Sequence, residues 1–206
     1  MSTNTQYSLT LCGHSFIRRL KNQKLGGDNK DVSLSDPLLS ENFAVALQLN
    51  DKFGHVATLS KGVVFITDLL DKFKGSFFAK TRPFFVDLGS NDLANFHKSN
   101  NLQATQLADD LCDIMLTLVP SVTLINSVIP RTRGLASSPE AFFENARAFN
   151  TRLRERAANN YFLFANKMKG FFYEEGGRDL HPSPDSKYWN RVRLAIMSVT
   201  GKVHKV

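Results

Sequence analysis

The sequence predicts an α/β fold, a three-layer α/β/α sandwich around a five-stranded parallel sheet. Short apolar segments alternate along the chain with longer segments whose apolar residues recur at helical spacing. The apolar segments are nearly continuous runs, which is typical of strands buried on both faces. A length of 206 residues, 42% of them hydrophobic and 22% charged, suits one globular domain. We therefore expect residues 1–206 to form a single domain.

Five segments predict strands because each is short, apolar and bounded by glycine, proline or polar residues. In chain order they are residues 7–12, 55–60, 83–89, 121–130 and 161–165. Each strand is followed by a loop or a helix, and this alternation favours parallel pairing over a meander of antiparallel strands.

The segments between the strands predict helices. They are residues 40–54 after a capping Ser40, residues 62–73, residues 101–119, a segment that begins at Ser138-Pro139, and a segment that begins near Asp185. Ser138-Pro139 is typical of a helix start, because the serine caps the first turn and proline suits the first helical position. The polar stretch 22–40 is predicted to be a flexible loop.

Basic charge is concentrated at one end of the chain. The net charge is +7, and residues 147–206 carry 12 basic and 5 acidic side chains, whereas residues 1–146 are balanced. Such an excess indicates either a solvated helix face or a surface for nucleic acid. Both interpretations remain open from the sequence.

The two cysteines, Cys12 and Cys112, lack the spacing of a metal site or a disulfide framework. We expect them to be reduced, buried thiols, which favours an intracellular location in the cytoplasm or nucleus. The first residues show no signal peptide, and no apolar run is long enough for a membrane span. We expect no metal and no cofactor.

Residues suited to catalysis follow the predicted strands at their carboxyl ends, where open α/β sheets bind ligands. Ser15 follows the first strand, Gly62 the second and Asn91 the third, and His181 precedes the last helix. The amides of Ser15 and Gly62 and the side chain of Asn91 could form an oxyanion hole. His181 could accept the serine proton. This set of residues predicts a serine hydrolase.

The same residues resemble the sequence blocks of the SGNH (GDSL-like) hydrolase superfamily. The matching segments are Gly13-His14-Ser15, Gly62, Gly89-Ser90-Asn91-Asp92 and His181, within residues 7–199. The resemblance implies a flavodoxin-like fold in which Ser15 is the nucleophile, His181 the base, and Ser15, Gly62 and Asn91 the oxyanion donors. The segments GHSFIRRL, DLGSNDL and KYWNRVRLAI are most similar to esterase-type domains of invertebrate and fish genomes, some of them carried by retrotransposons.

Two positions depart from the pattern of this superfamily. His14 stands where the first block has aspartate, and it could either pack against the sheet edge or donate a hydrogen bond in the site. Arg178 stands where the last block has the acid that orients His181. Losing that acid reduces turnover by about 10⁴-fold where the geometry is otherwise kept. Asp179 could replace it after a one-residue shift of the loop, a backbone carbonyl could orient His181, or catalysis could have been lost while the fold persists.

The leading hypothesis is a serine esterase that releases short acyl or O-acetyl groups from a small ester through an acyl-enzyme on Ser15. His181 and Asp179, or a carbonyl, would complete the catalytic set. One rival is a non-catalytic module that binds nucleic acid or a protein partner through basic residues near the C-terminus, including Lys202 and Lys205. A weaker rival is a flavodoxin-like ligand-binding protein, which the lack of a phosphate-binding loop disfavours.

Overall fold

Hydrogen-bonded strands form the middle layer of the structure. The structure is a computed structural model, and it describes residues 9–17, 38–40, 56–60, 65–68, 84–118, 122–160, 163–165, 188 and 192–198. Within this part of the chain six strands pair in one sheet. They are β1 (Leu9–Gly13), β2 (Leu38–Ser40), β3 (Val56–Ser60), β4 (Phe84–Asp87), β5 (Thr123–Ile125) and β6 (Leu163–Ala165). Their spatial order is β2-β3-β1-β4-β5-β6.

The order of the parallel strands sets the place of the site. β1 lies at the centre and pairs in parallel with β3 on one side and β4 on the other. β5 and β6 continue the sheet beyond β4, also in parallel. After β1 the chain adds strands on one side of it, and from β4 onward it adds strands on the other side. The gap between β1 and β4 is therefore the topological switch point, where doubly wound folds bind ligands. The predicted α/β fold with a parallel sheet is confirmed.

The edge strand β2 was not expected from the sequence. It pairs antiparallel with β3, with Leu38 opposite Thr58 and Ser40 opposite Val56. The predicted loop 22–40 therefore includes a strand at its end, and the helix that the sequence predicts after Ser40 lies outside the described residues. Only three residues form β2, too few to show a periodic apolar pattern in a polar stretch. The five predicted strands are present, and β2 is a sixth.

Within the described segments three helices accompany the sheet: α1 (Ser90–Ala94), α2 (Asn101–Leu118) and α3 (Pro139–Asn159). Helical backbone also occurs at residues 15–17, 66–68, 188 and 192–198. The Ser138 side chain accepts a hydrogen bond of 3.2 Å from the Ala141 amide, which confirms the predicted cap of α3. No helix in these segments is long and apolar enough to cross a membrane.

Both faces of the sheet are buried. One face, which includes Cys12 and Val86, packs with α2 and α3 in a single apolar cluster. Strand side chains alternate between faces, so Leu11 and Phe85 belong to the opposite face, and they too are fully buried. The sheet is therefore the middle layer of a three-layer sandwich, as predicted.

The two cysteines are free and buried, as expected. Burial raises the pKa of the Cys112 thiol to about 11 and also raises the pKa of the Cys12 thiol. Neither thiol is poised for reaction, because the thiolate is the reactive form.

Gly89 joins the sheet to the helical layer at the end of β4. Its φ of 102° and ψ of −23° are a conformation that side-chain-bearing residues rarely adopt. A Cβ at this position would lie 2.7 Å from a ring carbon of Phe149 in α3. Glycine is therefore required both by the backbone and by the close approach of α3, and it sets the direction in which α1 leaves the sheet.

We expect Gly89→Ala to lower the free energy of unfolding by about 2–4 kcal/mol, through backbone strain and overpacking against Phe149. Gly134→Ala is the matched comparison, because Gly134 has a φ of 64° in the ordinary left-handed region. That change should lower stability by about 1 kcal/mol. Urea denaturation of both variants measures the difference, and equal losses would contradict the packing argument.

Candidate active site

The candidate site lies at the carboxyl ends of β1 and β4. Gly13 is paired in register with Asp87 of β4 and with Ser60 of β3, so these three strands end at the same level. Ser15 follows two residues beyond this level, in a helical turn that begins directly after the strand. A short strand-to-helix turn leaves the serine partly exposed at the switch point.

Gly13 allows β1 and β4 to approach closely at this level. A Cβ on Gly13 would lie 2.6 Å from the Asp87 carbonyl oxygen and 2.8 Å from a side-chain carbon of Ile17. The His14 amide donates to the same Asp87 carbonyl at 3.4 Å. Because backbone cannot yield as a flexible side chain can, glycine is required here to seat His14 beside β4.

His14 lies beneath Ser15 and is 1% exposed. Its Nδ1 is 3.5 Å from the Ser15 Oγ and accepts a hydrogen bond from the Phe16 amide at 3.4 Å. Its Nε2 is 3.4 Å from Asp87 Oδ1, a separation that makes an ion pair only when the ring is protonated. Within the described segments Nε2 makes no hydrogen bond. His14 therefore lies between a serine and a carboxylate.

Asp87 is 2% exposed, and its charge is surrounded by hydrogen-bond donors. The Tyr188 hydroxyl donates to Asp87 Oδ2, and the Asn126 side-chain amide donates to the same oxygen at 3.2 Å. Burial raises the pKa of Tyr188 well above its ordinary value, and the nearby charge of Asp87 raises it further. Tyr188 consequently remains a protonated donor to Asp87 throughout the neutral range.

Two neighbouring contacts complete this buried polar cluster. The backbone N–H of Asn126 donates a hydrogen bond of 2.7 Å to the Val86 carbonyl, which fixes the chain directly after β5. The Phe16 ring stands edge-on to both His14 and Tyr188, with centroid separations of 4.5 Å and 5.7 Å. We call His14, Asp87, Asn126 and Tyr188 the polar floor of the site.

Asn91 lies in the first turn of α1, directly after the Gly89 turn. Asp92, the next residue, accepts a hydrogen bond of 3.0 Å from the Ile66 amide. This contact ties α1 to the segment that follows β3. Asp92 is therefore a structural partner of the second loop.

Arg131 holds the other side of α1. Its guanidinium donates to the Ser90 carbonyl at 3.2 Å and lies over the Phe142 ring at 5.7 Å. It is 7% exposed, and burial lowers its pKa. The Ala136 amide also donates to the Ala94 carbonyl at 2.8 Å, so the loop after β5 is fastened to both ends of α1.

The structure places part of the predicted site. Ser15 and Asn91 both follow strand ends on the same edge of the sheet, as predicted. Gly62, Asp179 and His181 lie outside the described residues, as does Arg178, and their roles remain predictions. Among the residues that are described, no group of three or more potential ligands could hold a metal ion.

Sequence reasoning missed Asp87, Asn126 and Tyr188. The contact between the Tyr188 hydroxyl and Asp87 could not be foreseen because the two residues lie 101 positions apart in sequence. One signal was available for Asp87. An acid that ends an apolar, buried strand needs a partner, since an isolated buried carboxylate is strongly unfavourable.

The fold is shared with solved structures of lipolytic proteins. One is a member of the lipolytic protein G-D-S-L family from Veillonella parvula, with 10% identity, a TM-score of 0.58, and coverage of 95% of this chain and 98% of that chain. Another is a lipase/acylhydrolase from Enterococcus faecalis, with 13% identity, a TM-score of 0.57, and coverage of 96% and 97%.

The C-terminal domain of the Drosophila Oskar protein is also similar, with 12% identity, a TM-score of 0.52, and coverage of 93% of this chain and 87% of that chain. No family model matches the sequence, and no curated protein does. The structural match shows a common fold, and sequence identities of 10–13% show nothing beyond the fold.

We expect Asp92 to make stability depend on pH. Burial raises its pKa from the ordinary 3.8 to about 6, so the folded chain binds this proton more tightly than the unfolded chain does. The resulting stabilisation is present below the ordinary pKa and is lost as pH rises through about 6. Asn at this position keeps an oxygen for the Ile66 amide and does not titrate. Relative to Asp92→Asn, the native chain should therefore lose roughly 1–3 kcal/mol between about pH 4 and pH 7.

Urea denaturation at both pH values measures this difference. Asp110→Asn, at an exposed position of α2, serves as the control and should show little change with pH. A native-minus-variant difference for Asp92 that stays constant, or grows as pH rises, would contradict the interpretation.

Proposed function

We propose that this protein is a serine hydrolase that cleaves carboxylic esters with short acyl or O-acetyl groups through an acyl-enzyme on Ser15. The observation that carries the proposal is the position of Ser15. It stands at the switch point of the sheet, in a turn directly after β1, and Asn91 follows the neighbouring strand β4 at the same edge. The similarity of the fold to lipolytic proteins supports the same reaction class.

In the proposed reaction Ser15 Oγ attacks the ester carbonyl, and its proton passes to a histidine. The Ser15 and Gly62 amides and the Asn91 side chain stabilise the oxyanion of the tetrahedral intermediate. The protonated histidine then gives its proton to the leaving alcohol. Water hydrolyses the acyl-enzyme with the same histidine as base.

The resemblance to SGNH hydrolases assigns the proton transfer to His181, oriented by Asp179 or by a backbone carbonyl. Support for these roles comes from the sequence blocks alone. The finer assignment to the retrotransposon-associated branch also rests on sequence alone, on the segments GHSFIRRL, DLGSNDL and KYWNRVRLAI.

We further propose that the substrate is a small ester. The two reduced thiols favour an intracellular location.

The described part of the basic C-terminal region does not favour nucleic-acid binding. Arg152 and Arg156 of α3 are both paired with Asp109 of α2 at 2.9 Å, and Arg156 also contacts Asp113. These two guanidinium groups fasten α3 to α2, so they are already engaged by carboxylates. We therefore advance no second function.

We expect the native chain to be labelled covalently by a fluorophosphonate, which reacts with activated serines, and Ser15→Ala to remain unlabelled. Ser198→Ala is the control, because Ser198 is exposed and lies in the helical segment 192–198. Peptide mass spectrometry of the labelled native chain should place the adduct on Ser15. A folded native chain that stays unlabelled would contradict the proposal and would favour lost catalysis.

Removal of an oxyanion donor should slow the reaction without unfolding the chain. We expect Asn91→Ala to reduce ester hydrolysis by about 10²–10³-fold in kcat. Asn95→Ala is the matched control, because Asn95 is the exposed C-cap of the same helix. Steady-state kinetics with an aryl acetate measures both variants, and equal effects at the two positions would exclude a specific role for Asn91.

A further inference from the structure

The two departures from the superfamily pattern concern the same chemistry. Arg178 stands where an acid would orient His181, so the predicted base lacks its usual partner. His14 stands where the first block has an acid, so an additional imidazole lies next to the nucleophile. In the sequence alone, the substitutions at His14 and Arg178 have no visible connection. The structure gives His14 a carboxylate partner of its own, Asp87.

We propose that His14 is the base for Ser15 and that Asp87 is the acid that orients His14, so that a serine–histidine–aspartate set is formed by the ends of β1 and β4. This inference rests on the proposed function, because it requires Ser15 to be the nucleophile. It changes the residues that carry the proton transfer. His181 is then not required for activation of Ser15.

The hydrogen bonds around His14 define its tautomer. The Phe16 amide can donate only to an unprotonated nitrogen, so Nδ1 is an acceptor and the ring proton resides on Nε2. The Ser15 Oγ lies at the acceptor nitrogen, at 3.5 Å, and Asp87 lies at the N–H side. This is the tautomer that a base for Ser15 needs. Hydrogen bonds at unliganded catalytic sites are commonly long and shorten when substrate binds.

Within the polar floor, Tyr188 and Asn126 hold the Asp87 carboxylate that would stabilise a protonated His14. Asp87 Oδ2 accepts hydrogen bonds from Tyr188 and Asn126, which leaves Oδ1 facing His14. Protonation of His14 during the reaction would create an ion pair with Asp87 in a site shielded from water. The same low dielectric that makes an isolated charge unfavourable strengthens this attraction.

The proton balance closes within these residues and the substrate. As Ser15 Oγ bonds to the carbonyl carbon, its proton moves to His14 Nδ1, the hydrogen bond from the Phe16 amide to Nδ1 breaks, and the carbonyl electrons move to the oxyanion. When the intermediate collapses, the bond to the leaving alcohol breaks, and that oxygen, attached to the same carbon as Oγ, takes the proton from Nδ1. In deacylation, water gives its proton to Nδ1 and its hydroxide to the acyl carbon, the bond between that carbon and Oγ breaks to release the carboxylic acid, and the proton returns from Nδ1 to Oγ.

The tautomer can be measured in the native chain without any variant. ¹⁵N NMR of imidazole-labelled protein near neutral pH, with the His14 signals assigned by their absence in His14→Asn, distinguishes the three forms. We expect an unprotonated Nδ1 and a protonated Nε2. A neutral ring protonated on Nδ1, or a ring protonated on both nitrogens, could not accept the Ser15 proton and would overturn the inference.

The rate of fluorophosphonate labelling tests the role itself. His14→Asn retains a polar atom near the position of Nδ1 but cannot take up a proton, so labelling should slow by at least about 100-fold. His97→Ala, at an exposed position, is the control and should label at the native rate. Tyr188→Phe, which removes one hydrogen bond to Asp87 and leaves Ser15 untouched, should lie between the two.

The outcomes separate this inference from the proposed function. A native chain that does not label shows that Ser15 is not an activated nucleophile, and the proposed function then fails. A native chain that labels, together with a folded His14→Asn variant that labels at the native rate, overturns the role of His14 alone. Loss of labelling in His181→Ala with retention in His14→Asn overturns it as well and returns the base to His181. If His14→Asn fails to fold, the NMR measurement on the native chain decides.

Discussion

The buried carboxylate of Asp87 is the constraint on which the site depends. A charge that is 2% exposed must be compensated by hydrogen bonds and opposite charge, because its transfer from water is otherwise strongly unfavourable. The compensation comes from hydrogen bonds donated by the Asn126 side chain after β5 and by the Tyr188 hydroxyl far along the sequence, while Nε2 of His14 after β1 lies 3.4 Å from the other carboxylate oxygen. Satisfying one carboxylate therefore brings together the chain segments that surround the switch point, and it leaves one carboxylate oxygen facing the imidazole next to Ser15.

The surroundings of this cluster are positioned by packing that leaves little freedom. Gly13 permits the backbone of β1 to approach β4, and Gly89 permits α1 to leave β4 beneath the Phe149 ring. Asp92 and Arg131 then fasten α1 to the segments that follow β3 and β5. A nucleophile and an oxyanion donor gain from such rigid support, because catalysis by preorganised groups requires that they need not rearrange during the reaction.

The sequence predicted what local patterns control. Apolar runs predicted the parallel strands, Ser138-Pro139 predicted the start of α3, and the strand ends predicted that Ser15 and Asn91 share an edge. It did not predict β2, because three residues in a polar stretch carry no periodicity. Nor did it predict the pairing of Asp87 with Tyr188, since a contact across 101 positions is set by tertiary packing. His14 was left open between packing and catalysis for the same reason: its partner belongs to another strand.

The central claim is that Ser15 is a nucleophile activated at the switch point of the sheet. The most direct measurement is a crystal structure of the chain after reaction with a short-chain phosphonate. We expect a phosphonyl group on Ser15 Oγ, with its oxygen directed toward the Asn91 side chain and with His14 Nδ1 still in contact with Oγ. An unmodified Ser15 in an otherwise ordered chain, or a phosphonyl group on another residue, would contradict the claim.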